Sequence, residues 1–268
     1  MDESLIRGVV ASAAIATLIV LQLWFPFRSP QSNRWARYRD NFALFLVSAG
    51  LVWLVIPVTL TGVAFHAQRE HIGLFNWLEL RFGLAFVLGL IVLDLLMYLQ
   101  HLLMHRVPLL WRLHRVHHSD EDLDWSTGIR FHPLEIIVST LLKIGAVLLL
   151  GVPPVAVLVF EILLNVFSLF THSNLALPGK FDHRLKWLVV TPSMHWVHHS
   201  RQINESRSNF GFCLSVWDRV FSTFRARAER ETADLLLGVE GLKQHSTGPS
   251  ALLYQPLIND PEADQYPF

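Results

Sequence analysis

The run Phe82–Met104 holds one charged side chain, Asp94, in 23 residues, and it ends in histidine: His101 within it and His105 just beyond. About 20 apolar residues carry a helix across a bilayer, and inside lipid every backbone polar group has to be satisfied by the chain itself. A chain with several such runs folds as a bundle of membrane helices. Two more lie near Leu5–Phe27 and Phe42–Phe65. The first opens on Asp2 and Glu3 without a basic stretch, which marks an anchor helix rather than a cleaved signal peptide. The second contains Pro57, which membrane helices tolerate, and is expected to pass through it as one span.

A further apolar stretch, Leu134–Phe170, is interrupted by Gly151-Val152-Pro153-Pro154. Proline lacks an N–H and clashes with the preceding turn, so the stretch reads as two helices of about 17 residues joined by a tight turn. They form either a transmembrane hairpin or a re-entrant pair. The expected fold is therefore all-α: a polytopic membrane helical bundle of three long spans plus a helical hairpin, with a cytoplasmic helical cap. Composition agrees, with 52% of residues hydrophobic and 16% charged. Basic and acidic residues balance at 22 each, which predicts no nucleic-acid partner. The single cysteine, Cys213, excludes a disulfide framework, a cysteine zinc site and an iron–sulfur cluster within the chain.

Arginine placement suggests the sidedness. Arg28, Arg34, Arg37 and Arg39 separate the first two runs, Arg106, Arg112, Arg115 and Arg130 follow the third, and the region after His172 is again basic. Placing these loops and the C-terminal third on the cytoplasmic side satisfies the positive-inside rule. The tail after Thr232 carries no chemical motif and reads as a loosely ordered extension.

Eight of the 14 histidines fall in three groups. His101 and His105 are four apart at a helix end and share a face. His114, His117 and His118 stand at i, i+3 and i+4, an arc of roughly 100° on a helix. His195, His198 and His199 repeat that spacing, with Thr191 or Ser193 as a cap before them. Neutral imidazole is the commonest metal ligand, and eight exceed what one ion can use. Two ions are expected. His132, ahead of Pro133, and His172, at the end of the hairpin, are candidate additional ligands. Glu161, Asn165 and Ser168 share the His172 stripe, and polar residues in an apolar arm should face protein or a cavity. Asp94 lies two turns deeper than His101 on the same face, a candidate for orienting a ligand or pointing into a substrate cavity. His66, His71, His183 and His245 lack partner spacing and read as surface or interfacial residues.

All-nitrogen ligation admits zinc, copper, iron or nickel. A metal pair at the base of apolar helices can reach a lipid chain, whose C–H bonds offer no leaving group, so their attack needs an oxidant. Zinc would suit a hydrolase, with a carboxylate such as Asp94, Glu135 or Glu161 as acid or base.

At this point His101-Leu-Leu-Met-His105, His114-Arg-Val-His117-His118-Ser119 and His195-Trp-Val-His198-His199-Ser200 resemble the three histidine boxes of the fatty acid hydroxylase/sterol desaturase superfamily. Arg130-Phe131-His132-Pro133, Asn209-Phe210-Gly211 and Trp217-Asp218-Arg219-Val220-Phe221 extend the likeness over about residues 90–225. It implies a non-haem di-iron centre, O2 as co-substrate, and hydroxylation or desaturation of a sterol, fatty acyl or related lipid. The implied iron ligands are the eight box histidines with His172 and His132; zinc is a possible substitute metal in purified protein. Residues 1–81 then form an N-terminal anchor, 82–228 the catalytic domain and 229–268 a tail. Asn209 to Phe221 is expected to cover the site, with Asp218 and Asn209 behind the ligands. Ser222 departs from the glycine common in the family, which puts a turn in question. The related acyl-chain desaturases are a rival, against which the Arg-Phe-His-Pro and Trp-Asp-Arg elements speak. The chain shows no dinucleotide fingerprint or cysteine cluster, so a separate cytochrome, ferredoxin or reductase is expected to supply electrons.

Overall fold

The computed structural model describes residues 3–242 and 247–266, so that His245 lies outside the described residues. Eight helices come first: α1 (Glu3–Trp24), α2 (Arg34–Val55), α3 (Leu60–Arg69), α4 (Leu74–Trp77), α5 (Phe82–Arg106), α6 (Pro108–His118), α7 (Pro133–Leu150) and α8 (Pro154–His172). Shorter helices follow: α9 (Gly179–Leu185), α10 (Pro192–His198), α11 (Ile203–Ser206), α12 (Val216–Val220) and α13 (Pro249–Tyr254). The protein is all-α and polytopic, and among the described residues five segments are long and apolar enough to cross a membrane: Glu3–Trp24, Arg34–Trp77, Phe82–Arg106, Pro133–Leu150 and Pro154–His172. Large apolar side chains such as Trp53, Leu54 and Leu149 remain exposed on these segments, as lipid contact requires.

Pro57 does not sit inside a continuous helix, contrary to the sequence expectation. Helix α2 ends at Val55, Ile56 leaves helical geometry at φ −128° and ψ 75°, and the Thr59 side chain accepts from Gly62 N to start α3. Proline removes a helical hydrogen bond, and a threonine two residues later offers a new N-cap, so two helices replace one. Helix α3 turns back onto α7 and α8. The break between α7 and α8 falls as expected: Gly151 closes α7 at φ +68° and Pro154 opens α8. Gly73, at φ +97°, packs so tightly there that a Cβ on it would strike the Gly151 backbone. Leu93 and Met97 of α5 meet Val147 of α7 and Ala156 and Phe160 of α8 in the main core.

The cap is held to the bundle by buried polar contacts. Arg37 on α2 makes a bidentate pair with Asp120 (2.8 Å to each oxygen) and reaches Asp124 at 2.7 Å. Burial opposes charge on Asp120, yet the Arg37 guanidinium outweighs it and holds the carboxyl well below the usual carboxylate range. Arg130 spans from Val116 O to Asn41 and Ser119. Gly128, in a 3-10 turn at Trp125–Ile129, lies so close to α8 that a Cβ would meet Ser168 O at 2.5 Å.

The described part of the tail packs on the cap, contrary to the expected loose extension. Trp111 stacks on Tyr266 (centroids 5.3 Å, 11° between planes), Arg112 and Arg115 both pair with Asp264, and Leu235, Leu237 and Leu242 are buried. Its apolar residues are too scattered for a periodic signal, but Val239, Leu252 and Tyr266 are buried as well, while Leu236, Tyr254 and Leu257 stay exposed.

Candidate metal centre

Each box owes its position to a local feature. Helix α5 carries His101 and His105 at its last turns, and Val107-Pro108 then breaks the chain so that α6 starts with proline and returns His114, His117 and His118 toward them. Helix α8 ends at His172. Pro192 opens α10, whose His195, His198 and His199 come in from the far side; neither Thr191 nor Ser193 caps it through its side chain, and Ser193 instead donates to Asp182.

The rings gather into two groups. His101, His105, His114, His118 and His198 form one, and His117, His172, His195 and His199 the other, with the ligand atoms of each within 4.8 Å of one another. Nitrogens about 2.1 Å from a shared first-row ion lie about 4 Å apart at most, so each set closes on an ion with small ring movements. The boxes are not assigned one to an ion. From each HxxHH box the i and i+4 rings join one group while the i+3 ring joins the other, and α6 and α10 do this reciprocally. His118 and His199 stack at 4.2 Å across the boundary, so the two groups adjoin.

Burial governs the protonation of the rings. All nine rings are at most 6% exposed. Burial, and then repulsion among the rings, pushes His117, His118, His195 and His199 well below the ordinary imidazole value; burial takes His198 down to about 3. Five rings donate through Nδ1: His101 to Phe210 O (2.9 Å), His114 to Glu135 Oε1 (2.7 Å), His117 to Arg130 O (3.1 Å), His172 to Ser168 O (2.6 Å) and His198 to Ser208 O (2.7 Å). Their Nε2 atoms therefore carry lone pairs. Those of His117 and His172 face each other at 2.8 Å, an arrangement with no donor between two acceptors. His105 Nδ1, His114 Nε2, His195 Nδ1, His198 Nε2 and His199 Nδ1 are buried without a hydrogen-bond partner. Orphaned lone pairs at such density are costly in a protein interior and become favourable around cations. The residues fit a pair of metal ions.

The two remaining candidates lie elsewhere. His132 caps α7, accepting from Leu134 N through Nδ1, and bonds Leu253 O through Nε2; it joins neither group. A residue before an N1 proline is well placed to cap, and that use consumes its ring. Asp94 accepts from Cys213 N, Leu214 N and Trp217 Nε1, tying α5 to the 213–217 segment, and has no histidine partner among the described residues. The carboxylate behind one of the grouped rings is instead Glu135, 2.7 Å from His114 Nδ1. His66, His71 and His183 stay outside both groups.

The segment from Ser208 onward lies against the site, its Phe210 and Ser208 carbonyls accepting from His101 and His198. Asp218 holds it by accepting from Phe210 N, Gly211 N and Thr223 Oγ1, and Asn209, at φ +58°, links Met194 to Arg225. Ser222 adopts φ +58°, so the turn where glycine is common forms here with a serine in left-handed geometry.

Two adjacent all-histidine groups at the ends of apolar membrane helices are consistent with a non-haem di-iron centre. Residues 86–223, just over half of the chain, match the Fatty acid hydroxylase family. The chain belongs to that family. An ornithine lipid hydroxylase of Rhizobium tropici is 28% identical over 87% of this chain and 71% of its own length. Alkylglycerol monooxygenase of Homo sapiens is 31% identical over 50% of this chain, and cholesterol 25-hydroxylase of Homo sapiens 29% over 51%. The chain spans only 29% and 49% of those two human proteins. No solved structure matches it significantly.

Proposed function

We propose that the protein hydroxylates a bilayer lipid, with O2 as co-substrate and electrons from a separate protein donor, at a carbon held beside the five-histidine group. One observation carries this. A cavity of about 550 Å³ runs between α2, α5, α7 and α8, and His101 and His114 form part of its wall. Met97, Met104, Phe131, Ile136 and Phe212 line it near those rings, so an alkyl chain lies there without water. The predicted stripe Glu161, Asn165 and Ser168 also faces it.

Bound iron would supply, with O2, the oxidising chemistry that an unactivated C–H bond requires. The chain's own residues do the rest. Nine histidines, His101, His105, His114, His117, His118, His172, His195, His198 and His199, serve as the proposed ligands. Glu135 and the carbonyls of Arg130, Ser168, Ser208 and Phe210 fix which ring nitrogen is free to bind. The lining excludes water from the reacting carbon. Hydroxylation is favoured over desaturation because the relatives are named as hydroxylases and monooxygenases. An ornithine lipid, an alkylglycerol or a sterol, each an amphiphile, is the corresponding substrate range. Residues 82–228 act as the catalytic domain, 1–81 as the anchor, and 229–268 as a brace on α6.

We place the site on the cytoplasmic side, where a soluble or membrane-bound donor can dock. Part of the basic count behind that placement is internal, since Arg37, Arg115 and Arg130 are buried in the cap. Arg34, Arg39, Lys180 and Arg184 remain exposed for docking. A zinc hydrolase is disfavoured because the relatives are named as hydroxylases and monooxygenases.

The test is lipid extraction from cells with and without the protein, with His198→Ala as control. A lipid gaining one oxygen only with the intact protein is expected, along with two irons per chain. Turnover that persists without iron, or no altered lipid when iron, O2 and a reductant are present, would overturn the proposal.

A further inference from the structure

The cavity has a charged far end that the metal centre does not use. Lys143 of α7 and Glu161 of α8 both line it, and Arg7 of α1 reaches the same place, pairing with Glu161 at 2.7 Å and donating to Thr61 Oγ1 at 2.7 Å. The Arg7–Glu161 pair neutralises itself. Lys143 lies within electrostatic reach of both, but its ammonium has no hydrogen bond or ion pair among the described residues. Arg7 also lies 4.0 Å from Glu3, so both carboxylates gather on Arg7, and Lys143 is the cation of this cluster without a direct partner, facing a lipid-sized cavity. It lies seven residues from the end of α7 at Leu150, about 10 Å inside the helix terminus. An uncompensated ammonium at that depth is costly unless it meets a ligand or reaches the interface.

Distance supplies the second observation. Lys143 follows Glu135, the carboxylate bonded to His114, by eight residues on α7, about 12 Å at 1.5 Å per residue. Between the charged end and the rings the wall is largely apolar, through Ile136, Leu164, Ile129 and Phe131, with Ser139 and Asn165 near the charged end. The cavity thus matches an amphiphile held polar end at Lys143, apolar chain toward His101 and His114.

We infer that Lys143 is the anchor for an anionic oxygen group, a carboxylate or a phosphate, on a single-chain portion of the substrate, and that oxidation falls on a carbon about 12 Å from that group. This rests on the proposed oxidation of a lipid in the cavity and adds to it a substrate class and a position. Arg7, 2.7 Å from Glu161, is the direct partner of that carboxylate, which leaves the Lys143 ammonium for the ligand.

The full-length protein, loaded with iron and held in phosphatidylcholine nanodiscs, is given radiolabelled palmitate, 1-palmitoyl-lysophosphatidate or hexadecanol, and equilibrium binding is measured. A charge-assisted bond predicts that one of the anions binds at least about tenfold tighter than the alcohol. Lys143→Met should bring that anion down to the alcohol's affinity with iron content unchanged, and Lys143→Arg should keep the preference. A preference for palmitate supports a carboxylate source, and one for the lysophosphatidate supports a phosphate. Equal binding of all three to the wild type overturns the inference without reference to any variant, and so does a preference that survives Lys143→Met. Iron content and O2-dependent oxidation of extracted lipids are measured on the same preparations. Their failure would sink the oxygenase reading while the binding preference remained readable.

Discussion

In a Glu135→Gln protein, His114 keeps a hydrogen bond but loses the charge behind it. The wild-type contact is 2.7 Å long, and both side chains are at most 5% exposed, so solvent does little to screen it. Glu135 lies in the first turn of α7, where the helix dipole favours a negative charge, and its Oε2 has no partner. One charge-assisted bond is therefore at stake. Such bonds contribute about 1.5–3 kcal/mol and neutral ones about 0.5–1.5 kcal/mol, so the substitution removes about 1–1.5 kcal/mol of His114 orientation and basicity. That corresponds to about tenfold weaker metal binding at the five-histidine group; Glu135→Ala, which removes the acceptor altogether, should approach a hundredfold. The assay is iron retained per chain at a series of chelator-buffered free iron concentrations. One of the two ions should leave early in Glu135→Gln, while the four-histidine group, which Glu135 does not touch, retains its ion. Equal loosening of both ions, or an unchanged curve, would refute the assignment of His114 to one group and the role of the carboxylate behind it.

Other perturbations read out the fold. Gly128→Ala places a methyl against Ser168 O, which is backbone and cannot move aside, so a loss of about 1–3 kcal/mol is expected in thermal or denaturant unfolding. Ser222→Gly should raise stability by up to about 1 kcal/mol, because relief of the left-handed serine exceeds the added chain entropy of glycine; a lower melting temperature would contradict that reading. Burial pushes Asp218 up to about 6 against the hydrogen bonds from Thr223, Gly211 and Phe210. A carboxyl raised in the folded state contributes stability that is full below its unfolded value and lost as pH rises through about 6. Wild type should therefore lose stability relative to Asp218→Asn between about pH 4 and 6, and parallel stability curves for the two proteins would count against it.

Much of the fold was legible because its signals are local. Apolar length defines the segments, Gly151-Val152-Pro153-Pro154 divides α7 from α8, and repeated i, i+3, i+4 spacing marks the boxes whatever surrounds them. Pro57 was harder, since a proline in an apolar run is compatible with a kinked helix or a broken one. The outcome depended on Thr59 capping α3 and on α3 finding room against α7 and α8. The tail was illegible for a related reason: Tyr266 and Asp264 acquire meaning only from Trp111, Arg112 and Arg115, about 150 residues earlier.

By itself the sequence determined that this chain lives in a membrane and brings enough imidazole to hold two metals. Tertiary structure alone decided how the rings are shared. Spacing puts His114, His117 and His118 on one arc, but which ion each meets depends on α10 approaching from the far side and exchanging its i+3 ring for theirs. It also decided that His132 caps a helix, that Asp94 clamps a loop, and that Glu135 stands behind His114. Four of the five acceptors that orient the rings are backbone carbonyls, which every residue possesses, so no side-chain pattern could announce them.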